Sequence, residues 1–305
     1  MFADKFARAA RSRIRGIRVT AHARQLDPET QLIETGPRRR YRPLGGPQGR
    51  SGLLIDQASL RREFWNTERQ LSRFLGEEHI SYLLRELRVN CVIDVGANTG
   101  QYARGIRQRG YRGRIASFEP VTETLVELRA KAAGDPDWHV YPMALGDEDT
   151  TTEILATPGK TLSSLLPATD FGKDFNAKLA EPVRQQVEVR RLDGLLDEII
   201  EGIAEPRVFL KMDTQGFDLP AFHGAGTRID EIIGMQSEVA CVPIYEGMAR
   251  LPEQISAYES KGFAIAGMFL VSRHKPTLRV IEFDVTMVRP DAVPPRLPRT
   301  RPSGA

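Results

Sequence analysis

The run Cys91-Val92-Ile93-Asp94-Val95-Gly96-Ala97-Asn98-Thr99-Gly100 constrains this chain more than any other segment. Five residues, apolar but for one aspartate, read as a buried strand, and two glycines read as the tight loop that follows it, just ahead of a helix. Gly96 lets the backbone turn sharply beneath a ligand, and Gly100 permits close approach. The helix start beyond them presents free amide donors to an anionic group. Such a cradle belongs at the carboxyl end of the first strand of an open α/β sheet.

The residues from 89 onward supply that sheet. Apolar strand-like runs recur at 91–95, 114–118, 139–145, 208–212, 232–235, 263–270 and 280–288, with helical segments at 102–109, 121–133, 192–201, 219–224 and 252–261. Strands alternating with helices predict a doubly wound α/β fold, a mostly parallel seven-stranded sheet with helices on both faces. The last two strand runs have no helix between them, so a C-terminal hairpin places an antiparallel strand in the sheet. Ahead of the sheet, Leu60, Phe64, Leu71, Phe74, Leu75, Ile80, Leu83, Leu84 and Leu87 follow a helical period and predict an N-terminal helical extension. The expected division is a basic arm and linker over 1–52, the extension over 53–88, the α/β domain over 89–288, and a disordered Pro/Arg-rich tail over 289–305.

Charge separates these parts. Residues 1–50 hold twelve Lys/Arg against four Asp/Glu and 289–305 hold four against one, so with +3 overall the span 51–288 carries −8. An acidic body argues against nucleic-acid binding, which needs a basic face to neutralise phosphates. In the arm, Lys5, Arg8, Arg11, Arg13, Arg15 and Arg18 alternate with Phe2, Phe6, Ile14 and Ile17. That pattern suits an amphipathic helix in peripheral contact with an anionic membrane, although a solvated arm is the simpler reading. No apolar run approaches the roughly 20 residues of a membrane span, and no continuous apolar core follows the N-terminal charges as in a secretory signal. Cys91 and Cys241, the only cysteines, have neither metal-ligand nor disulfide-framework spacing. A cytoplasmic protein, peripheral at the inner membrane face through its arm, is the corresponding expectation; the oligomeric state is open.

The chemistry is expected at the strand ends. Asp94 beside the cradle can hold an ammonium group, which a dinucleotide's pyrophosphate lacks and an amino-acid-bearing cofactor has. Phe118-Glu119-Pro120 ends the second strand, nineteen residues after Gly100, where Glu119 can accept ribose hydroxyls. Ala144, Leu145 and Asp147 can border the adenine, an ordinary turn aspartate being the other reading of Asp147. Asp94, Gly96, Ala97, Asn98, Gly100, Glu119, Pro120, Ala144, Leu145 and Asp147 thus describe a site for S-adenosylmethionine. The Gly-x-x-x-Gly spacing departs from the Gly-x-Gly-x-x-Gly of dinucleotide oxidoreductases. An NAD-type oxidoreductase is therefore the alternative, and a non-catalytic relative of the fold that binds a membrane or partner is a third reading.

In these motifs, together with Ser163-Ser164-Leu165, Leu192-Asp193 and Leu210-Lys211-Met212-Asp213, the chain resembles the FkbM-type S-adenosylmethionine-dependent methyltransferases, from about residue 91 to 288. The resemblance implies the Rossmann-like class I methyltransferase fold and O-methylation of hydroxyls on sugars or other natural-product scaffolds in glycolipid, polysaccharide or antibiotic pathways. One departure stands out. After the lysine and aspartate of the fourth main strand the family usually carries Glu-Gly with a further Glu two residues on, whereas this chain reads Thr214-Gln215-Gly216-Phe217-Asp218.

Methyl transfer from a sulfonium asks the protein to align the acceptor oxygen and to help remove its proton. Asp213, at the end of the fourth main strand, is the first candidate for the base or for a cofactor contact. Lys211 can pair with it or form a plain structural ion pair. Glu238 follows at the neighbouring edge. Asp213, Asp218 and Glu238 can be read as a Mg²⁺ site that activates the acceptor hydroxyl, but a metal-free pocket is preferred because scattered carboxylates do not define a metal geometry. The segment 161–184 reads as a cover over the site, in which Ser163 and Ser164 can contact the acceptor, a small molecule or glycan. Tyr245 can form a second wall.

Overall fold

The computed structural model describes residues 64–158 and 161–295, together with the backbone of four short strands upstream. Two compact units divide at Phe74/Leu75. In the first, β1 (Ala21–Gln25) pairs antiparallel with β2 (Gln31–Thr35), and β3 (Leu44–Gly45) with β4 (Ser51–Gly52). These hairpins fall where only an arm and linker were expected. The basic stretch 2–18 and the tail beyond 295 lie outside the described residues. The helical extension is one helix, α1 (Phe64–Glu86), and residues 53–63, also assigned to it, are outside the described residues.

The second unit holds β5 (Cys91–Val95), α2 (Gln101–Gln108), β6 (Arg114–Phe118), α3 (Thr122–Ala132), β7 (Trp138–Tyr141), β8 (Ala144–Leu145), β9 (Thr150–Ala156), α4 (Asp170–Phe175) and β10 (Val183–Arg190). It continues with α5 (Leu196–Ile200), β11 (Val208–Met212), α6 (Asp218–His223), β12 (Ile232–Ala240), α7 (Leu251–Ser260), β13 (Ala264–His274) and β14 (Arg279–Val288). Seven of these strands form one sheet in the order β13-β14-β12-β11-β5-β6-β7. All neighbours from β12 to β7 pair in parallel, while β14 runs antiparallel to both β12 and β13. The expected doubly wound sheet with its C-terminal hairpin is what forms.

Central strands explain the apolar runs. Every residue of β5 and of β11 is buried, because a parallel sheet is covered on both faces. Cys91, Ile93 and Val95 join Leu210, Met212, Leu196, Phe222 and Tyr258 in one core. Val92 and Phe209 join Leu84, Ala103, Ile106 and Leu128 in the other. Successive strand residues point to opposite faces, so Asp94 lies on the face of Val92, under α2.

One expected strand does not run through. The segment 139–145 breaks after Tyr141, and Ala144–Leu145 pairs instead with Val189 and Arg190 in a separate three-stranded sheet, β8-β10-β9. Pro142 interrupts it, having no N–H to donate to the ladder. The cover likewise proves more ordered than its polar composition implied: its later part is α4, a short 3₁₀ turn (Ala177–Ala180) and the start of β10. It packs on the segment after β12 through Ile244, Tyr245, Met248, Leu166 and Phe171. Gly172 makes that docking possible, since a Cβ there would lie 2.2 Å from the Ile244 carbonyl oxygen.

Candidate active site

Strand order reverses between β5 and β11, and an open α/β sheet has its ligand crevice outside the carboxyl ends at such a point. The expected cradle lies there. Gly96 adopts φ +72°, and a Cβ on it would sit 2.0 Å from the Asp213 carbonyl oxygen, so only glycine lets this loop lie against the end of β11. The Gly96 and Ala97 amides donate to the Phe118 carbonyl at 3.0 and 2.9 Å, and the Asn98 amide donates to Glu119 Oε2 at 2.8 Å. The other oxygen of Glu119 accepts from the Val121 amide at 2.9 Å. Burial pushes this carboxyl up to about 7, against the opposing pull of the Val121 and Asn98 amides and of Lys211. Each oxygen retains a lone pair for another donor. Pro120 accepts Gln185 Nε2 through its carbonyl at 3.0 Å.

Asp94 is wholly buried, with Lys211 Nζ 3.0 Å from its Oδ1 and the Ser117 hydroxyl donating to its Oδ2 at 3.4 Å. Lys211 also donates to the Gly96 carbonyl at 3.2 Å and lies 3.8 Å from Asp213 Oδ2. Burial alone would lower the lysine's pKa, but Asp94 and Asp213 outweigh it and keep the ammonium charged. Asp94 thus meets a lysine of its own chain, and that lysine secures the carbonyl end of β5. Ala144 and Leu145 are buried in the second sheet, and Asp147 is exposed beyond them, its carbonyl accepting from Arg191 at 2.5 Å.

Asp213 is the most open of the acidic side chains at the β11 edge, 43% exposed. Gln215 joins it to its neighbours: Nε2 donates to Asp213 Oδ1 at 2.9 Å and to Glu238 Oε2 at 3.0 Å, while Oε1 lies 3.1 Å from the Tyr245 hydroxyl. Both donors and the acceptor of the amide are therefore engaged. Glu238 is buried, and its carboxyl is pushed well above the ordinary range by burial and by the negative charges of Glu282, Asp213, Asp284 and Asp218.

The three-carboxylate metal reading does not survive the geometry. Asp218 Oδ1 accepts from the Thr214 amide at 2.8 Å and the Thr214 hydroxyl, and Oδ2 from the Ser237 hydroxyl at 2.8 Å and the Glu238 amide at 3.0 Å. With every lone pair taken, Asp218 anchors the loop after β11. Among the described residues no three His, Cys, Asp or Glu side chains are grouped to hold a metal ion. Of the cover serines, Ser164 is committed to the fold, and Ser163 accepts one backbone amide. Ser163 Oγ accepts from the Thr157 amide at 3.2 Å; buried Ser164 donates to the Gln215 carbonyl at 2.6 Å and accepts from the Leu166 amide at 3.0 Å. The Tyr245 hydroxyl, 3.0 Å from the Leu162 carbonyl, has one proton to share between that oxygen and Gln215. Ser164 and Tyr245 therefore clamp the cover onto Gln215.

Three residues of this edge were not foreseen. Glu282 and Asp284 stand on β14 beside Ala240 and Glu238 of β12, and Tyr102 of α2 has its ring 5.5 Å from Lys211 Nζ. The alternation Ile281-Glu282-Phe283-Asp284-Val285 was the available signal, since acidic residues at every second position of an interior strand need a reason.

A family model described as the methyltransferase FkbM domain matches residues 94–256, more than half of the chain. The chain belongs to the FkbM methyltransferase family. No curated protein matches it. Similar solved structures include magnesium protoporphyrin IX methyltransferase (ChlM) from Synechocystis PCC 6803 with bound SAM, 12% identical over 73% of this chain and 82% of that one, with TM-score 0.39. A putative S-adenosylmethionine-dependent methyltransferase from Listeria monocytogenes is 11% identical over 70% and 98%, with TM-score 0.38. Aeropyrum pernix fibrillarin with natively bound S-adenosyl-L-methionine is 10% identical over 67% and 68%, with TM-score 0.37. None of these likenesses bears on what this FkbM methyltransferase methylates.

Proposed function

We propose that this FkbM methyltransferase transfers a methyl group from S-adenosylmethionine to a hydroxyl of a sugar-bearing lipid, polysaccharide or other natural product. The observation that carries the reading is Asp213: a half-open carboxylate at the end of β11, held by Gln215 at 2.9 Å and beside the cradle formed by β5 and its loop. The chain's residues fit the cofactor. Gly96 to Gly100 offer a turn with little side-chain bulk, Glu119 retains acceptor capacity for the ribose hydroxyls, and Asp147, exposed after β8, is available to the adenine. Bound there, S-adenosylmethionine supplies an already activated methyl carbon.

The chain then has to orient and deprotonate the acceptor. With the cofactor held by the cradle and Glu119, Asp213 would take the proton of the acceptor hydroxyl, whose oxygen would receive the methyl group that the sulfonium gives up. Lys211, fixed by Asp94, restrains the far oxygen of that carboxylate. The docked cover, pinned by Ser164 and Tyr245, shields the site from water.

Calorimetric titration with S-adenosylmethionine, S-adenosylhomocysteine and NAD tests the cofactor assignment. Only the adenosyl amino acids should bind, and Glu119→Ala should weaken them at least about tenfold, equivalent to 1.4 kcal/mol; NAD binding would reject the reading. Once an acceptor is in hand, Asp213→Asn should bind cofactor as before and lose about 10²–10⁴-fold in turnover. An unchanged rate removes Asp213 as the base.

A further inference from the structure

The amide of Gln215 can face Asp213 in two ways, and only one of them supports a base. With Nε2 toward the carboxylates, it donates to Asp213 Oδ1 at 2.9 Å and to Glu238 Oε2 at 3.0 Å. Turned over, it would set Oε1 against Asp213, one lone pair facing another. The carboxylates alone do not decide between the two. Glu238 is buried, and burial together with the charges of Glu282, Asp213, Asp284 and Asp218 holds its carboxyl well above the ordinary range, so it can present a proton of its own to Oε1. What separates the orientations lies on the other side of the amide, where the Tyr245 hydroxyl stands 3.1 Å from Oε1. Its proton, given to Oε1, holds the amide with Nε2 toward Asp213. Given instead to the Leu162 carbonyl at 3.0 Å, it leaves the hydroxyl oxygen facing the amide as an acceptor, which favours the turned orientation.

The surrounding backbone delivers this hydroxyl. Tyr245 is buried, and the cover grips it from both sides: the Glu246 amide donates to the Pro167 carbonyl at 2.8 Å, and the Thr169 amide donates to the Ile244 carbonyl at 3.0 Å. Its ring lies against Gly216, where a Cβ would come within 3.2 Å of Tyr245 Cδ2. Gln215 and Leu162, whose oxygens meet the hydroxyl, adopt φ +53° and +79°. Non-glycine residues enter this left-handed region at a cost and keep it only where their surroundings impose it.

We propose that Tyr245 is a positioning residue: its hydroxyl, delivered by the docked cover, orients the Gln215 amide so that Nε2 supports the Asp213 carboxylate, which makes the base competent only while the cover is in place. This rests on the reading of Asp213 as the proton acceptor and adds the residue that secures its hydrogen bond.

The test is nuclear magnetic resonance of the isotope-labelled full chain, saturated with S-adenosylhomocysteine at pH 7, with the Gln215 side-chain amide identified by its absence in Gln215→Met. Tyr245→Phe keeps the ring and removes the hydroxyl. The Gln215 amide protons should then exchange with water at least about tenfold faster than in the wild type, and the Asp213 carboxyl carbon signal should move, while the backbone amides of Thr169 and Glu246 exchange as before. Unchanged Gln215 and Asp213 signals overturn the proposal. So does opening of Thr169 and Glu246 together with the side-chain amide, which would make the hydroxyl a fastener of the cover and nothing more. In a second variant, Gly172→Ala, a Cβ 2.2 Å from the Ile244 carbonyl oxygen forces the cover away with Tyr245 intact, and faster exchange at Thr169 confirms the opening. The Gln215 amide should be freed here too; an amide still protected beneath an opened cover overturns the coupling. Retained S-adenosylhomocysteine binding shows that each variant is folded, and if Tyr245→Phe does not fold, Gly172→Ala decides alone. Failure of the wild-type chain to bind S-adenosylhomocysteine would instead overturn the methyltransferase reading, and unchanged turnover in Asp213→Asn the base reading; the amide signals decide neither.

Discussion

Gln215 shows how one atom can set the chemistry of an edge. Its Nε2 stands 2.9 and 3.0 Å from two carboxylates, where a glutamate would add a third negative charge and leave Asp213 and Glu238 without their shared donor. Gln215→Glu should destabilise the apo-protein by about 1–3 kcal/mol at pH 8, the scale for stranding buried acceptors, with a smaller loss at pH 5.5 where the new carboxyl can protonate. Urea melts at the two pH values measure this; equal losses would show that the amide's neutrality is not what matters. Glu282 makes a related prediction. Its carboxyl is raised from 4.5 to about 7, first by burial and then by Asp213, Asp284 and Asp218, against the Ser272 hydroxyl. The folded state therefore holds its proton more tightly than the unfolded state. Its stabilising share is full below about pH 4.5 and is lost as pH rises through about 7. Between pH 5.5 and 8 the wild-type protein should lose stability, by on the order of 1–3 kcal/mol from this group, and Glu282→Gln should flatten that slope in urea unfolding. Neither residue's role could be read from its type. Gln215 was visible as a departure, but only its amide geometry shows what the departure does.

The cover illustrates what was legible among the elements. Segments whose apolar residues meet a core on a regular period, β5, β6, α3, β11 and α7, formed within a few residues of expectation, because periodic burial is a local signal. β9 and β10 escaped notice because they belong to the small separate sheet and bury little: of the eight residues of β10, only Val187 and Val189 are buried. Their polar, half-exposed sequences resemble loops. The cover itself was expected to offer serines to the acceptor, whereas Ser164 spends its hydroxyl on the Gln215 carbonyl and the Leu166 amide. Ser164→Ala should therefore cost about 0.5–1.5 kcal/mol and speed hydrogen exchange at Leu166 and in the neighbouring cover while leaving α3 unchanged. Unaltered exchange at Leu166 would mean that the cover is held by its apolar contacts alone.

Across the domain, register links the two halves of the sheet through a polar seam. Ser117 of β6, Asp94 of β5, Lys211 of β11, Gln236 of β12 and Thr286 of β14 are successive cross-strand partners. Asp94 was recognisable as an odd charge in an apolar strand, and Lys211 as another, but their pairing depends on β5 and β11 being neighbours although more than a hundred residues separate them in sequence. A hydrophobic pair would hold the sheet as well or better, since the desolvation of two ions offsets most of their attraction. What an ion pair adds is dependence: each charge is tolerated only with the other. Lys211→Met should strand Asp94 at zero exposure and lower stability by about 3–5 kcal/mol. Adding Asp94→Asn to it should recover much of that loss, because no charge is then left buried without a partner. Denaturant unfolding of the two single variants and the double variant decides the matter. If the double variant is less stable than Lys211→Met, the lysine stabilises the sheet mainly through its bonds to the Val95 and Gly96 carbonyls, and the seam is a set of backbone ties in which Asp94 only sets the lysine's direction.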